Sequence, residues 1–254
     1  MMHVLVHPRF RPVQLLVASL LLAVPGWAQE APGPWRLTAY LQQSWPKQTE
    51  TNRQIREDIN GGLGTSFKTW DDVANLNLGV VAYRTLSPVW SLGLEVDYST
   101  GGLKGREDVN SPLLGPGAVA FEQHYSVYAD ALLLVQVRPL GDQGRWIPFA
   151  HLGAGFAYEK DRTTLGFSSS VGAGDFELLK VDNSGWFPML TLGVGVDAFL
   201  TARRTWYAEA GLSYSWARLK HGAPASGLLA PGPSVTADTD STGLNAWLGV
   251  GRRF

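Results

Sequence analysis

The sequence predicts an all-β protein, an antiparallel up-and-down barrel of most simply eight strands that crosses a membrane, with long loops at one end and short turns at the other. Three observations carry this. Eight stretches alternate apolar and polar residues with the two-residue period of a strand. The connections between them alternate strictly between tight and long. Aromatic residues recur at both ends of the apolar faces. Composition agrees, since 29 glycines and 11% aromatics beside only 17% charged residues suit turns and strand faces better than helix surfaces.

Before the first strand, Arg9 and Arg11 precede an apolar run from Val13 to Val24 and the small-residue tripeptide Gly26-Trp27-Ala28. That order is expected of a secretory leader, residues 1–28, cleaved after Ala28 to leave a single barrel domain, 29–254. The apolar run is shorter than the roughly 20 residues a spanning helix needs. No later stretch approaches that length either, so a membrane location has to come from strands. Cysteine is absent, which excludes disulfides, thiol catalysis, thiolate metal sites and lipoprotein acylation. The formal net charge of −1 gives no basic surface for nucleic acid.

In the first run Trp35, Leu37, Ala39 and Leu41 share a face against Arg36, Thr38, Tyr40 and Gln42, ending near Trp45-Pro46. The polar segment from Lys47 to Asp72 then reads as a long loop with room for a helical turn. The second run sets Leu76, Leu78, Val80 and Ala82 against Asn75, Asn77, Gly79 and Tyr83, and a tight turn over Thr85–Val89 leads to the third. There Trp90, Leu92, Leu94, Val96 and Tyr98 oppose Ser91, Gly93, Glu95, Asp97 and Ser99. Thr100 to Phe121 is dense in Gly and Pro and is expected to be a loop without regular structure.

The fourth run places Tyr125, Val127, Ala129, Ala131, Leu133, Val135 and Val137 on the apolar face, with His124, Ser126, Tyr128, Asp130, Leu132, Leu134, Gln136 and Arg138 opposite. After the turn Pro139–Arg145, the fifth sets Ala150, Leu152, Ala154, Phe156 and Tyr158 against Phe149, His151, Gly153, Gly155 and Glu159. Lys160 to Gly185 is the third long loop. The sixth sets Leu190, Leu192, Val194, Val196, Ala198 and Leu200 against Met189, Thr191, Gly193, Gly195, Asp197 and Phe199, and turns at Thr201–Arg204. The seventh sets Trp206, Ala208, Ala210, Leu212, Tyr214 and Trp216 against Tyr207, Glu209, Gly211, Ser213 and Ser215. Arg218 to Asp240 is the last long loop, and the eighth run alternates from Ser241 to Phe254.

The apolar faces are expected to point outward. Trp35, Trp90, Trp146 and Trp206 open the odd runs on the apolar parity, and Phe254 falls at their level. Trp45, Tyr98, Tyr125, Tyr158, Trp186 and Trp216 mark the other end. These are two aromatic girdles around an apolar band, where amphipathic rings meet lipid headgroups. About ten residues separate Trp35 from Trp45, the span of a tilted membrane strand. The opposite faces, rich in Gly, Ser and Tyr and free of Lys, suit a narrow lumen. Charges there must be paired, so Arg36 and Arg138 are expected to bridge to Glu95, Asp130, Asp197 or Glu209, with Asp97 in the same lumen charge network, filling the lumen with polar side chains.

No chemistry-bearing motif stands out. His124 and Ser126, read as inward with Asp130 below them, are the best candidates for nucleophilic catalysis, but no nucleophile elbow accompanies them and no enzyme activity is assigned. His151 is expected to hydrogen-bond within the lumen and His221 to lie in a flexible loop. No His pair has ligand spacing and the Asp-rich pieces Asp71-Asp72 and Glu107-Asp108 lack an EF-hand order, so no metal or cofactor is assigned.

The terminal stretch STGLNAWLGVGRRF, with its alternation up to Phe254, resembles the C-terminal signal of bacterial outer-membrane β-barrels, although Arg252 stands where an apolar residue is usual. With the leader, the girdles and the loop asymmetry, the chain resembles small outer-membrane barrels of the OmpA, OmpX and OmpW type, without a peptidoglycan-binding domain after the barrel. The resemblance implies the outer membrane of a Gram-negative-type cell, periplasmic turns and extracellular loops. It further implies contact with outer-membrane lipid and lipopolysaccharide, assembly through the C-terminal strand, and a structural or surface-interaction role with a ligand met at the long loops. Passage of small solutes or apolar molecules, as in OmpW-like channels, is the alternative; modification of lipid A is a more remote one.

Overall fold

A computed structural model describes residues 33–46, 49–70, 75–111, 115–171, 174–230 and 232–254. The leader and Asp71-Asp72 lie outside them. β1 (Trp35–Pro46), β2 (Asn75–Thr85), β3 (Trp90–Ser111), β4 (Gly115–Val137), β5 (Trp146–Ser169), β6 (Asp175–Phe199), β7 (Trp206–Ser226), β8 (Ser234–Asp240) and β9 (Gly243–Arg253) are joined by antiparallel ladders. β1 to β7 and β9 form an eight-membered ring, each strand paired with its neighbours in sequence. β9 closes it against β1, from Arg36↔Arg253 to Pro46↔Gly243, and against β7, from Trp206↔Arg252 to Ser215↔Gly243. No helix among the described residues is long and apolar enough to cross a membrane.

Between the girdles the wall is apolar outside. Leu94, Leu133, Leu152, Val194 and Leu248 are each more than half exposed, as are Trp35, Trp146 and Trp186 at the ends. Water would not tolerate so continuous a patch; hydrocarbon does. Arg252 lies with its guanidinium 5.5 Å from the Trp206 ring and 5.1 Å from that of Phe254, so its departure from the terminal pattern places a charge beside the periplasmic girdle.

The long connections differ from expectation. β3, β4, β5, β6 and β7 are 22, 23, 24, 25 and 21 residues long, about twice the 9–11 that cross a bilayer. The segments Thr100–Phe121, Lys160–Gly185 and Arg218–Asp240, expected as irregular loops, are mostly continuing hairpin, and His221 is a β7 residue paired with Ala237. Gly and Pro density misled because this upper storey is built for water. Outside it carries pairs such as Lys104–Glu122 at 2.6 Å and Arg162–Asp182 at 2.5 Å. Inside it buries Leu103, Val119, Phe121, Leu165, Phe167 and Leu178. Into its mouth folds the segment after β1, an α-helix α1 (Thr49–Arg53) running into π-helical turns Gln54–Gly61, which brings Ile55, Phe67 and Trp70 into the same cluster. Below the rim the barrel is apolar outside and holds polar groups beside a buried apolar cluster of Leu132, Leu134, Phe149 and Phe187 inside; above it the outer face is polar and the inner one apolar.

A β-bulge corrects the parity of β4. Tyr128 pairs with Ser99 and Glu159, whereas Tyr125 pairs with Gly101 and Asp161, so β4 holds one residue more than either neighbour at Ser126–Val127. Below the bulge even-numbered side chains point inward; above it odd-numbered ones do. Tyr125 is therefore buried against Trp70 rather than part of the outer girdle, and His124 and Ser126 are exposed on the outer surface. The absence of native cysteine makes this parity directly readable. With single cysteines, a membrane-impermeant maleimide should label His124→Cys in the folded protein and Gln123→Cys only after unfolding; unbroken alternation through Ser126 gives the reverse.

Candidate functional site

The lumen is packed in layers fixed by the strand registers. At the periplasmic end Arg253 and Arg138 both reach Asp142 of the β4–β5 turn, the latter at 3.0 Å. Arg138 and Arg36 converge on one oxygen of Asp197, Arg36 at 3.0 Å, and Arg36 also contacts Gln136 and Ser91. Both arginines and Asp197 are almost fully buried. One carboxylate thus neutralises two guanidiniums, with Asp142 supplying the second negative charge. Buried charge survives only in such hydrogen-bonded company.

In the next layer Thr38 bonds Tyr207 at 2.7 Å and donates to Glu209 at 3.2 Å, while the Trp247 indole donates to Glu209 at 3.0 Å. These bulky groups fit because the facing positions are glycine. A Cβ on Gly251 would stand 2.3 Å from the Tyr207 ring, and one on Gly79 2.3 Å from Tyr40. Tyr40 in turn donates to Asp97 at 2.6 Å, beside Glu95 and Asp130. All seven residues read from the sequence as a lumen charge network do line the interior. They divide, however, into a paired group around Asp197, Glu209 with hydroxyl and indole donors, and an all-acidic group of Glu95, Asp97 and Asp130. Neither arginine reaches the last group.

Above it Asn245 bonds Ser213 and Ser215, Asn77 bonds Ser44, and a cavity of about 50 Å³ opens between Asp130, Tyr128, Met189 and rim residues such as Pro46, Thr100 and Ser241. Trp70 caps the storey above, donating from its indole to Gln123 at 2.8 Å and from its backbone to Asn52 at 2.8 Å.

A larger cavity, about 260 Å³, lies between the helical segment and the inner faces of β4 to β6, lined by Ile55, Ile59, Phe121, Leu179, Val181 and Val235 with Asp161 among them. Gln123 donates to one oxygen of Asp161 at 3.2 Å, and the other oxygen is buried without a partner. Burial pushes this carboxyl up to about 6, although hydrogen bonds from Gln123 and Asn183 pull it down. Beside this pocket the wall parts. β6 and β7 pair at Lys180↔Ser226 and Val181↔Ala225 and again from Met189↔Ala217, but no ladder joins 182–188 to 218–224; on its other edge β7 pairs there with β8, which continues the β9 ladder in the same register.

The catalytic candidates are not assembled. His124 faces out, Ser126 donates to the Lys160 carbonyl at 3.0 Å, and Asp130 lies on the other side of the wall. His151 lines the lumen, its ring 5.4 Å from that of Trp247.

The fold is that of a small transmembrane β-barrel. It is similar to outer-membrane protein OprG of Pseudomonas aeruginosa, at 16% identity over 88% of this chain and 97% of that one, with a TM-score of 0.45. It is also similar to Neisserial surface protein A, at 11% identity, 89% and 100% coverage and a TM-score of 0.41. Escherichia coli outer membrane protein W gives 16%, 89% and 100%, and 0.40. No protein-family model matches the sequence, and neither does a curated protein.

Two electrostatic arrangements have measurable consequences. Asp197→Asn leaves two buried guanidiniums short of their shared carboxylate and is expected to cost about 3–5 kcal/mol in urea unfolding from lipid vesicles. Asp161 behaves oppositely. Its folded value of about 6 exceeds the ordinary 3.8, so its ionisation opposes folding, and stability is lost as pH rises from about 4 through 6. Asp161→Asn should match the wild type near pH 4 and exceed it above pH 7 by up to roughly 3 kcal/mol.

Proposed function

We propose that the protein is an integral outer-membrane barrel whose membrane half is a filled, non-conducting lumen and whose extracellular half serves surface interaction, with the pocket around Asp161 as its binding site. The observation that carries this is the unbroken series of side-chain layers from Asp142 at the periplasmic end to Asn245 at the outer rim, which leaves only small internal spaces. Eight strands enclose an interior that side chains can fill. The pocket above, by contrast, is apolar, reaches solvent and holds one unsatisfied carboxylate oxygen, the composition of a small-ligand site. In this reading β9, ending at Phe254, is the segment through which the barrel is assembled, and the girdles contact lipid and lipopolysaccharide.

A second reading, passage of small apolar molecules sideways through the wall, is favoured by the parting of β6 from β7 beside that pocket. Reconstituted into planar bilayers, the barrel should show no large steady openings; such openings overturn the filled-lumen reading. In vesicles, entry of a small apolar probe without a polar solute of similar size supports sideways passage, and entry of neither supports the surface role.

A further inference from the structure

Glu95, Asp97 and Asp130 offer carboxylate oxygens that all lie within 4.8 Å of one another inside the lumen. The backbone imposes this. Asp97 and Asp130 are direct cross-strand partners in the β3–β4 ladder, and Glu95 precedes Asp97 by two on the same face. Like charges directly opposite in a sheet repel, and burial removes the water that would screen them. Asp97 and Asp130 are 2% and 4% exposed. No basic side chain forms an ion pair with any of the three among the described residues, because Arg36 and Arg138 are both committed to Asp197. Among the described residues no side chain supplies the triad's counter-charge.

Further observations point to a ligand. The Oδ1 atom of Asp130 is buried with no hydrogen-bond partner. His151, a separate side chain 7% exposed, lines one small cavity with Glu95 and Tyr40, and its Nδ1 also has no partner. The place is also built rather than incidental. Gly79 leaves room that any Cβ would take from Asp97, at 1.8 Å from its Oδ1, and the Tyr40 hydroxyl fixes that oxygen at 2.6 Å. Entry is available from outside, since Asp130 also floors the cavity that reaches the outer rim.

We propose that Glu95, Asp97 and Asp130 form a lumenal binding site for one divalent cation of the oxygen-preferring class, Ca²⁺ foremost. Three carboxylates are hard, anionic donors suited to such an ion. Oxygens on opposite sides of Ca²⁺, each at 2.3–2.6 Å, stand roughly 4.6–5.2 Å apart, which the triad can supply with little movement. The bound ion would tie β3 to β4 at mid-wall and turn their mutual repulsion into attraction. This site is independent of the surface-interaction reading: it predicts an ion held in the wall whether or not the extracellular pocket binds anything.

The test uses the folded mature barrel in detergent, stripped with a chelator, and titrated with Ca²⁺ by calorimetry and with Mn²⁺ by electron paramagnetic resonance. One tight site per chain is expected, with a rise in unfolding temperature on adding Ca²⁺ that chelator reverses. Asp130→Asn and, separately, Glu95→Gln should each weaken binding by at least about tenfold, while the exposed Asp182→Asn leaves it unchanged. The gel shift between folded and heat-unfolded barrel checks that each variant is folded. Absence of a stoichiometric site in the wild type overturns the proposal, whatever the variants do. Binding that survives both lumen substitutions overturns it too, since the ion then sits on surface carboxylates.

Discussion

Everything in this molecule depends on the closure of β9 between β1 and β7. Hydrocarbon offers backbone amides and carbonyls no partner, so a sheet that spans it has to be a ring. The two ladders of β9, each running the length of the membrane band, remove both free edges at once. Closure at eight strands in turn fixes the interior width, and the width dictates composition. Tyr40, Tyr207 and Trp247 reach across where the opposite residue has no Cβ, and Arg36 and Arg138 are admitted where Asp197 lies within reach of both. The glycines of the inner faces, which would weaken a strand on an open surface, are therefore a consequence of ring size.

Much of this was legible in the sequence because the membrane imposes a strict two-residue rule on every strand it contacts. The ring, its order, the periplasmic girdle, the outward parity of Trp45, Tyr98, Tyr158, Trp186 and Trp216, and the inward parity of Arg36, Glu95, Asp97, Asp130, Arg138, Asp197 and Glu209 follow from that rule alone. The rule fails where its cause stops. A single extra residue at Ser126–Val127 inverts β4 and carries Tyr125 inside and His124 outside, and nothing in the local residue types marks it. Above the rim water replaces lipid, so apolar residues belong on the inner parity, and a search for outward apolar alternation finds only polar loops. The inward apolar pairs Val119–Phe121 and Leu165–Phe167 were the available signal. The acidic triad was hidden for a different reason: which acids meet depends on register, and Asp97↔Asp130 follows from the β3–β4 hairpin pairing with its one-residue bulge, which the alternation does not reveal.

The bulge and the parting of β6 from β7 belong to one transition. A strand passing from lipid into water must exchange an apolar outer face for a polar one. β5 does so by changing residue types on a fixed parity, from His151, Gly153 and Ala157 inward to Leu165 and Phe167 inward. β4 does so by shifting parity, from Leu132 and Leu134 inward to Phe121 and Tyr125 inward. β7 takes a third route: it parts from β6 above Ala217 and returns to it only at Ala225–Ser226, while its other edge passes from β9 to β8 without a change of register. The β7-facing edge of 182–188, whose other edge stays paired with β5, opens at the level of Trp186, where the apolar band ends, so water is at hand to satisfy it. A break of the same length at the level of Leu192 would leave amides in hydrocarbon at several kcal/mol each. The β6–β7 seam thus parts at a level where parting costs little, and the pocket of about 260 Å³ lies against it. Val181 joins the two features, lining the pocket and standing as the last β7-paired residue of β6 before the parting.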